Sequence, residues 1–250
     1  MNWNVAIKIA RYGISITILV IVWTLAAQCL PHYLLPLPWV VARTLWVEHD
    51  SFTRATAYTL TNALTGAVLG IGLGVLTGLL VAYSKVLRWI VEPYLVIFQS
   101  FPRESLFPLL IVWLGFGSAT KIVNAALLSF FPIAVMTLNG LLDVREDYVT
   151  LIRGWGADRF QEFLYCRLPA LTPTLVSAIK VALPLALIGA VLGEFMGANQ
   201  GLGYLIISSG SEFRVDRLFG AIVILALLGS TTLMTIQVIQ GSFLTKFNQE

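Results

Sequence analysis

Six stretches of roughly twenty mostly apolar residues dominate this chain, near 13–30, 61–83, 90–115, 119–141, 173–197 and 217–240. About 20 such residues let a helix cross the hydrocarbon core of a bilayer. Of the 250 residues, 58% are hydrophobic and only 12% are charged, with a mean hydropathy of +0.84. Soluble domains carry about 25% charge. A core of this size cannot hide so much apolar surface from water, so the bilayer is the solvent. The chain reads as an all-α integral membrane protein of about six transmembrane helices.

The first apolar run, Ile14 to Leu30, follows Lys8 and Arg11. It exceeds the apolar region of a signal peptide, about 7–15 residues, and Gln28 before Cys29 fits lipoprotein processing badly. It reads as a retained span. Loop charge then orients the bundle. Lys8, Arg11, Lys85, Arg88, Arg145, Arg153, Arg159, Arg167 and Lys246 fall on one side, joined by a snorkelling Lys180. Arg43, Arg54, Lys121, Arg214 and Arg217 fall on the other. The basic excess marks the cytoplasmic side and puts both termini there. The expected organisation is a first helix with its outer connection (1–60), a five-helix core (61–240) containing a cytoplasmic connection (142–172), and a cytoplasmic tail (241–250).

Net charge is only +3 and the basic residues are scattered, which argues against nucleic acid. Cys29 and Cys166 fall on opposite sides and are not expected to pair. His32 and His49 lack the spacing of a metal site, so no metal and no cofactor are expected. None of the lysines precedes Ser or Thr, so there is no phosphate-binding loop for ATP.

Three intramembrane features stand out. Gly66, Gly70, Gly74 and Gly78 recur every four residues and form one smooth helical stripe for close packing or a moving surface. The third span is interrupted by Phe101-Pro102-Arg103-Glu104-Ser105 and again by Pro108. Charges at bilayer depth cost about 2.5–3.5 kcal/mol on insertion scales and face water or the bundle interior. Prolines free carbonyls that are tolerated only against protein or a cavity. Pro102, Arg103, Glu104 and Pro108 therefore either line a path or form a local Arg–Glu pair at a kink. Glu194, near the outer end of the fifth span, either meets an external partner or holds the turn at Gly201 and Gly203.

The 143–169 connection reads as two short helices around Gly154-Trp155-Gly156. Asp158 is a candidate N-cap with Gln161 three residues on. Phe160, Phe163 and Leu164 share a face that Arg159, Glu162 and Arg167 surround, and Pro169 and Pro173 are expected to end the element. Such a helix lies in a lipid interface or docks into a groove on a soluble partner.

Gly156, nine residues, then Cys166-Arg167-Leu168-Pro169 resembles the cytoplasmic loop of binding-protein-dependent ABC importer permeases. Thr150-Leu151-Ile152 stands where that family has Glu-Ala-Ala. Leu35-Pro36-Leu37-Pro38, Phe101-Pro102, Pro108-Leu109, Trp113-Leu114-Gly115-Phe116-Gly117, Phe130-Phe131-Pro132-Ile133, Glu194 and Gly201-Leu202-Gly203-Tyr204 extend the similarity over nearly the whole chain. They are most similar to the sulfonate, taurine, nitrate and thiamine-pyrimidine branch. Phe-Pro-Arg with Trp-Leu-Gly-Phe-Gly looks closest to permeases for thiamine-pyrimidine precursors or riboflavin.

The resemblance implies a permease, not an enzyme, in a bacterial cytoplasmic membrane. It implies a second permease subunit (a homodimer), two cytoplasmic ATP-binding subunits and a periplasmic or lipid-anchored solute-binding protein. Thr150, Gly154, Gly156, Ala157, Asp158, Arg159, Phe160, Phe163, Leu168 and Pro169 would form the ATPase-coupling element. A secondary transporter would show matching broken helices in two halves, and only the third span is clearly broken. A membrane enzyme would cluster Asp, His, Glu or Ser in its spans, and Glu104 and Glu194, with no histidine near either, form no such cluster.

Overall fold

The computed structural model describes residues 3–31, 33–197 and 199–247, and the side chains of these except 3–12, 99–100, 103–104 and 237–247. His32 lies outside the described residues. Among the described residues all regular structure is helical. In chain order it comprises α1 (Trp3–Cys29), α2 (Pro38–Val47), α3 (His49–Tyr83), α4 (Lys85–Ser100), a 3-10 turn (Arg103–Leu106), α5 (Phe107–Leu114), α6 (Ser118–Leu142), α7 (Glu146–Gly154), α8 (Arg159–Glu162), a π turn (Phe163–Arg167), α9 (Leu168–Phe195), α10 (Leu202–Ser211) and α11 (Val215–Phe247).

Four helical runs are long and apolar enough to cross a membrane: His49–Tyr83, Ser118–Leu142, Arg159–Phe195 and Val215–Ile236. The first expected span forms a shorter apolar helix, Gly13–Cys29. The third divides into α4, the 3-10 turn and α5, with Pro108 in the first turn of α5.

The core is the sandwich of α3, α6 and α9. Gly66, Gly70, Gly74 and Gly78 all face α6. A Cβ on Gly74 would sit 2.8 Å from Ile133 and from the Phe130 carbonyl, and one on Gly78 would sit 2.6 Å from Thr137. The stripe thus lets two backbones approach closely, and no larger residue fits there. Gly189 and Gly193 do the same for α9 against α6, meeting Ala125 and Lys121 at 2.8 Å. Small residues carry this packing because lipid tails are as apolar as leucine, so close van der Waals fit holds helices together.

Two expectations change. The connection 31–60 is mostly helical: it contains α2 and the first turns of α3. At 35 residues and about 1.5 Å per residue, α3 is longer than the roughly 30 Å hydrocarbon core, so its polar start projects beyond it. Ion pairs from Arg214 and Arg217 to Glu48, with Arg217 also donating to Ser51 Oγ at 2.9 Å, fasten that projection to α11.

Pro169 and Pro173 do not end the second short helix either. The chain runs from α8 through the π turn into α9 without a break. The π turn shifts the hydrogen-bond register just before Pro169, which then sits in the first turn of α9, where a missing N–H costs little.

Candidate functional site

At one end of the bundle, the connection between α6 and α9 folds into a compact hook. Glu146 and Asp147 open α7 and Arg153 closes it, each complementing the helix dipole. After Trp155, Gly156 adopts φ +85° and its N–H returns to the Arg153 carbonyl at 2.9 Å. Asp158 and Gln161 then form a full capping box: Asp158 Oδ1 accepts from the Gln161 N–H at 2.7 Å, and the Asp158 N–H donates to Gln161 Oε1 at 3.1 Å.

Glu162 clips the hook shut. Its side chain is buried and accepts from Arg153 Nε and Arg167 Nε, both at 2.7 Å. Burial alone would raise this carboxyl, but the two arginine hydrogen bonds outweigh it and hold it below the ordinary range. Arg167 in turn lies over the Tyr83 ring, 5.6 Å from its centroid, and Phe163 packs edge-on to Tyr83 at 6.3 Å. The hook is therefore tied to the end of α3.

The expected shared face of Phe160, Phe163 and Leu164 splits. Phe163 turns inward, while Phe160 and Leu164 stay exposed. Glu162 sits inside the hook and not around its rim, because the two arginines supply a charged cradle that makes its burial affordable. Thr150, Gly154, Gly156, Asp158 and Arg159 are exposed, and Ala157, Leu168 and Pro169 are half-buried. Trp155 is 81% exposed and Phe160 70%, so the hook presents aromatic surface that nothing among the described residues covers.

At the opposite end, Glu194 is 1% exposed and grips the turn before α10. Its carboxylate accepts from Thr59 Oγ1 at 2.8 and 2.9 Å and from the Gly203 N–H at 2.8 Å, while Thr59 Oγ1 accepts from the Leu202 N–H at 2.9 Å. Gly201 has φ +110°, and a Cβ there would collide with the Glu194 carboxylate. One acid thus joins α3, α9 and α10. Lys121, counted among the outer-side charges, is 3% exposed at the start of α6. It donates to the Phe116 and Gly117 carbonyls at 3.1 and 3.2 Å. Sequence reasoning missed Thr59 and Lys121 because their partners lie 135 and 63 positions away or on backbone carbonyls.

Pro102 and Pro108 are exposed at the break in the third span. The side chains of Arg103 and Glu104 lie outside the described residues. Around the break, Phe98 stacks on Phe131 at 5.4 Å and Phe107 is buried. The hook lies at the other end from the Glu194 turn, whereas Phe107, just after the break, packs against α9 beside Glu194, 3.1 Å from where a Cβ on Gly193 would sit.

Long apolar helices with polar groups buried between them define a multi-pass membrane protein. The chain belongs to the family described as binding-protein-dependent transport system inner membrane component, which matches residues 70–246. It is similar to a probable ABC transporter permease protein of Haemophilus influenzae, 30% identical over 221 residues that cover 88% of this chain and 90% of that one. It is also similar to the formylaminopyrimidine transport permease protein ThiX of Halalkalibacterium halodurans, 34% identical over 213 residues covering 84% and 85%. The fold resembles a chain of the inward-facing MetNI methionine ABC transporter, with a TM-score of 0.64 at 23% identity over 82% of this chain and 96% of that one. The protein is an ABC importer permease subunit and not itself an enzyme.

Proposed function

We propose that this chain forms the path for a small solute, a thiamine-pyrimidine precursor in the first instance, with riboflavin or a small anion such as taurine or another sulfonate, nitrate or bicarbonate as the alternatives. The similarity to a formylaminopyrimidine permease supports the first choice. In this reading the bacterial cytoplasmic membrane holds two copies of the chain, each crossing about six times with both termini inside. Two ATP-binding subunits attach from the cytoplasm, and a periplasmic or lipid-anchored binding protein delivers solute from outside.

The observation that carries the reading is the hook. A clipped, capped element with exposed Trp155 and Phe160, tied through Arg167 to Tyr83, is suited to transmit force. A rigid lever needs its joints satisfied internally and its gripping surface free. ATP binding draws the ATPases together, the hooks follow, and α3 and α9 move with them; hydrolysis releases the pair. The permease is a two-state element whose populations its partners shift.

The break at Pro102, Arg103, Glu104 and Pro108 lines the path and gate. Glu194 acts on that gate through the Gly201–Gly203 turn it holds, since its buried carboxylate is engaged by Thr59 and the Gly203 N–H. The test is uptake into proteoliposomes carrying the permease, its ATPase and its binding protein. Arg103→Ala is expected to abolish uptake while the complex still assembles. Normal transport by that variant contradicts the gate assignment.

A further inference from the structure

At the Glu194 end of the bundle lies a cavity of about 810 Å³, within the range of roughly 300–1,000 Å³ that small-molecule sites occupy. Arg54, Tyr58 and Asn62 line it from α3, Ser118 from α6, Gln200 from the turn before α10 and Arg217 from α11. The three α3 residues are spaced by four and so form one stripe along the cavity wall.

Two independent features mark it as a ligand site. Asn62 is 3% exposed, and its Nδ2 has no hydrogen-bond partner. A buried donor left unpaired is costly, and a half turn of the carboxamide about its last bond offers either end to the cavity. The second feature is charge. No Asp or Glu stands among the lining residues. Arg217 is matched by Glu48 at 3.0 Å, whereas Arg54 is exposed and has no ion-pair partner among the described residues. The Tyr58 hydroxyl shares a 3.0 Å hydrogen bond with Ser118 Oγ and is reached by Lys121 Nζ at 3.5 Å. Donors and positive charge therefore outnumber acceptors around the space.

We propose that this cavity receives the transported solute on its way through the permease and holds it by an acceptor-rich group against Asn62, Arg54 and Tyr58. The group is a sulfonate, or the formyl oxygen and ring nitrogens of a pyrimidine. The inference rests on the permease reading and adds that the permease itself recognises solute, on one wall of α3.

The test uses the permease–ATPase complex with and without its binding protein. Labelled formylaminopyrimidine, riboflavin and taurine are the probes. The solute that wild type imports is expected to bind saturably to the complex lacking binding protein. Asn62→Leu and Arg54→Gln should each weaken that binding by about tenfold, a change in equilibrium constant well outside assay error. The recovered yield of complex reports folding, and exposed Arg54 tolerates replacement if Asn62→Leu does not fold. A larger loss with Arg54→Gln identifies an anion, and a larger loss with Asn62→Leu identifies the neutral heterocycle. If wild type imports a probe but the complex does not bind it, or both variants bind as wild type does, the site is refuted while the permease reading stands. If wild type imports none of the three, the sulfonate and pyrimidine solutes proposed for this cavity fall, and the site falls with them.

Discussion

Glu162 and Glu194 are the two residues on which the two ends of the molecule depend. Glu162→Gln keeps the shape but removes the charge that both Arg153 and Arg167 address. Hydrogen bonds to charged groups contribute about 1.5–3 kcal/mol, a figure that applies here to the largely buried Arg167 and not to solvent-screened Arg153. The expected outcome is faster amide hydrogen exchange across 146–167 and less solute moved per ATP. Because the folded-state pKa of Glu162 lies below its unfolded value, its contribution is present above the ordinary carboxylate range. It is lost as pH falls through the depressed value. Protection across 146–167, measured against the intrinsic exchange rate at each pH, should therefore fall with acid in wild type and not in Glu162→Gln. At the other end, Thr59→Val removes the hydroxyl that serves both Glu194 and the Leu202 N–H. Each orphaned buried group costs about 1–3 kcal/mol, so the thermal midpoint of the purified permease should fall. An unchanged midpoint would show that the turn does not depend on this bond.

Among the elements, the α3–α6 contact offers the cleanest substitution test. Gly74→Val forces side-chain atoms into Ile133 and the Phe130 carbonyl, whereas Gly72→Ala points into open space. Overpacking costs about 1–3 kcal/mol. Gly74→Val should lower the thermal midpoint and the yield, and Gly72→Ala should do neither. This stripe was legible in the sequence because one residue type recurs at the helical spacing. The break in the third span was legible through Pro102 and Pro108, and the cap at Asp158 through Gln161. All three are local signals. The burial of Glu162 and Lys121 was not legible, since a charge inside a bundle is set by partners brought together in the fold. The helicity of 38–60 was hidden because the polar residues there are held by Arg214 and Arg217, more than 160 positions away. The passage through Pro169 was hidden because the preceding π turn, which has no local sequence signature, places that proline in the first turn of α9.

As a whole, the molecule has a buried three-helix core, an apolar outer surface and a polar fixture at each end. α1 contributes little to the core: Ile14, Ile18 and Leu19 are exposed, and it is held by Trp23, which donates to the Pro36 carbonyl at 3.0 Å and packs 6.0 Å from Phe219. The exposed faces of α4 and α5, with Val96, Ile97, Val112 and Trp113, are apolar and suit lipid. In the proposed mechanism, energy enters through the hook. Hydrogen exchange over residues 150–164 of the permease in lipid, with and without the ATPase subunit, tests this most directly. Protection that appears on adding the ATPase and changes when ATP binds is the predicted result. Full protection by lipid alone, unaltered by the ATPase, would contradict it.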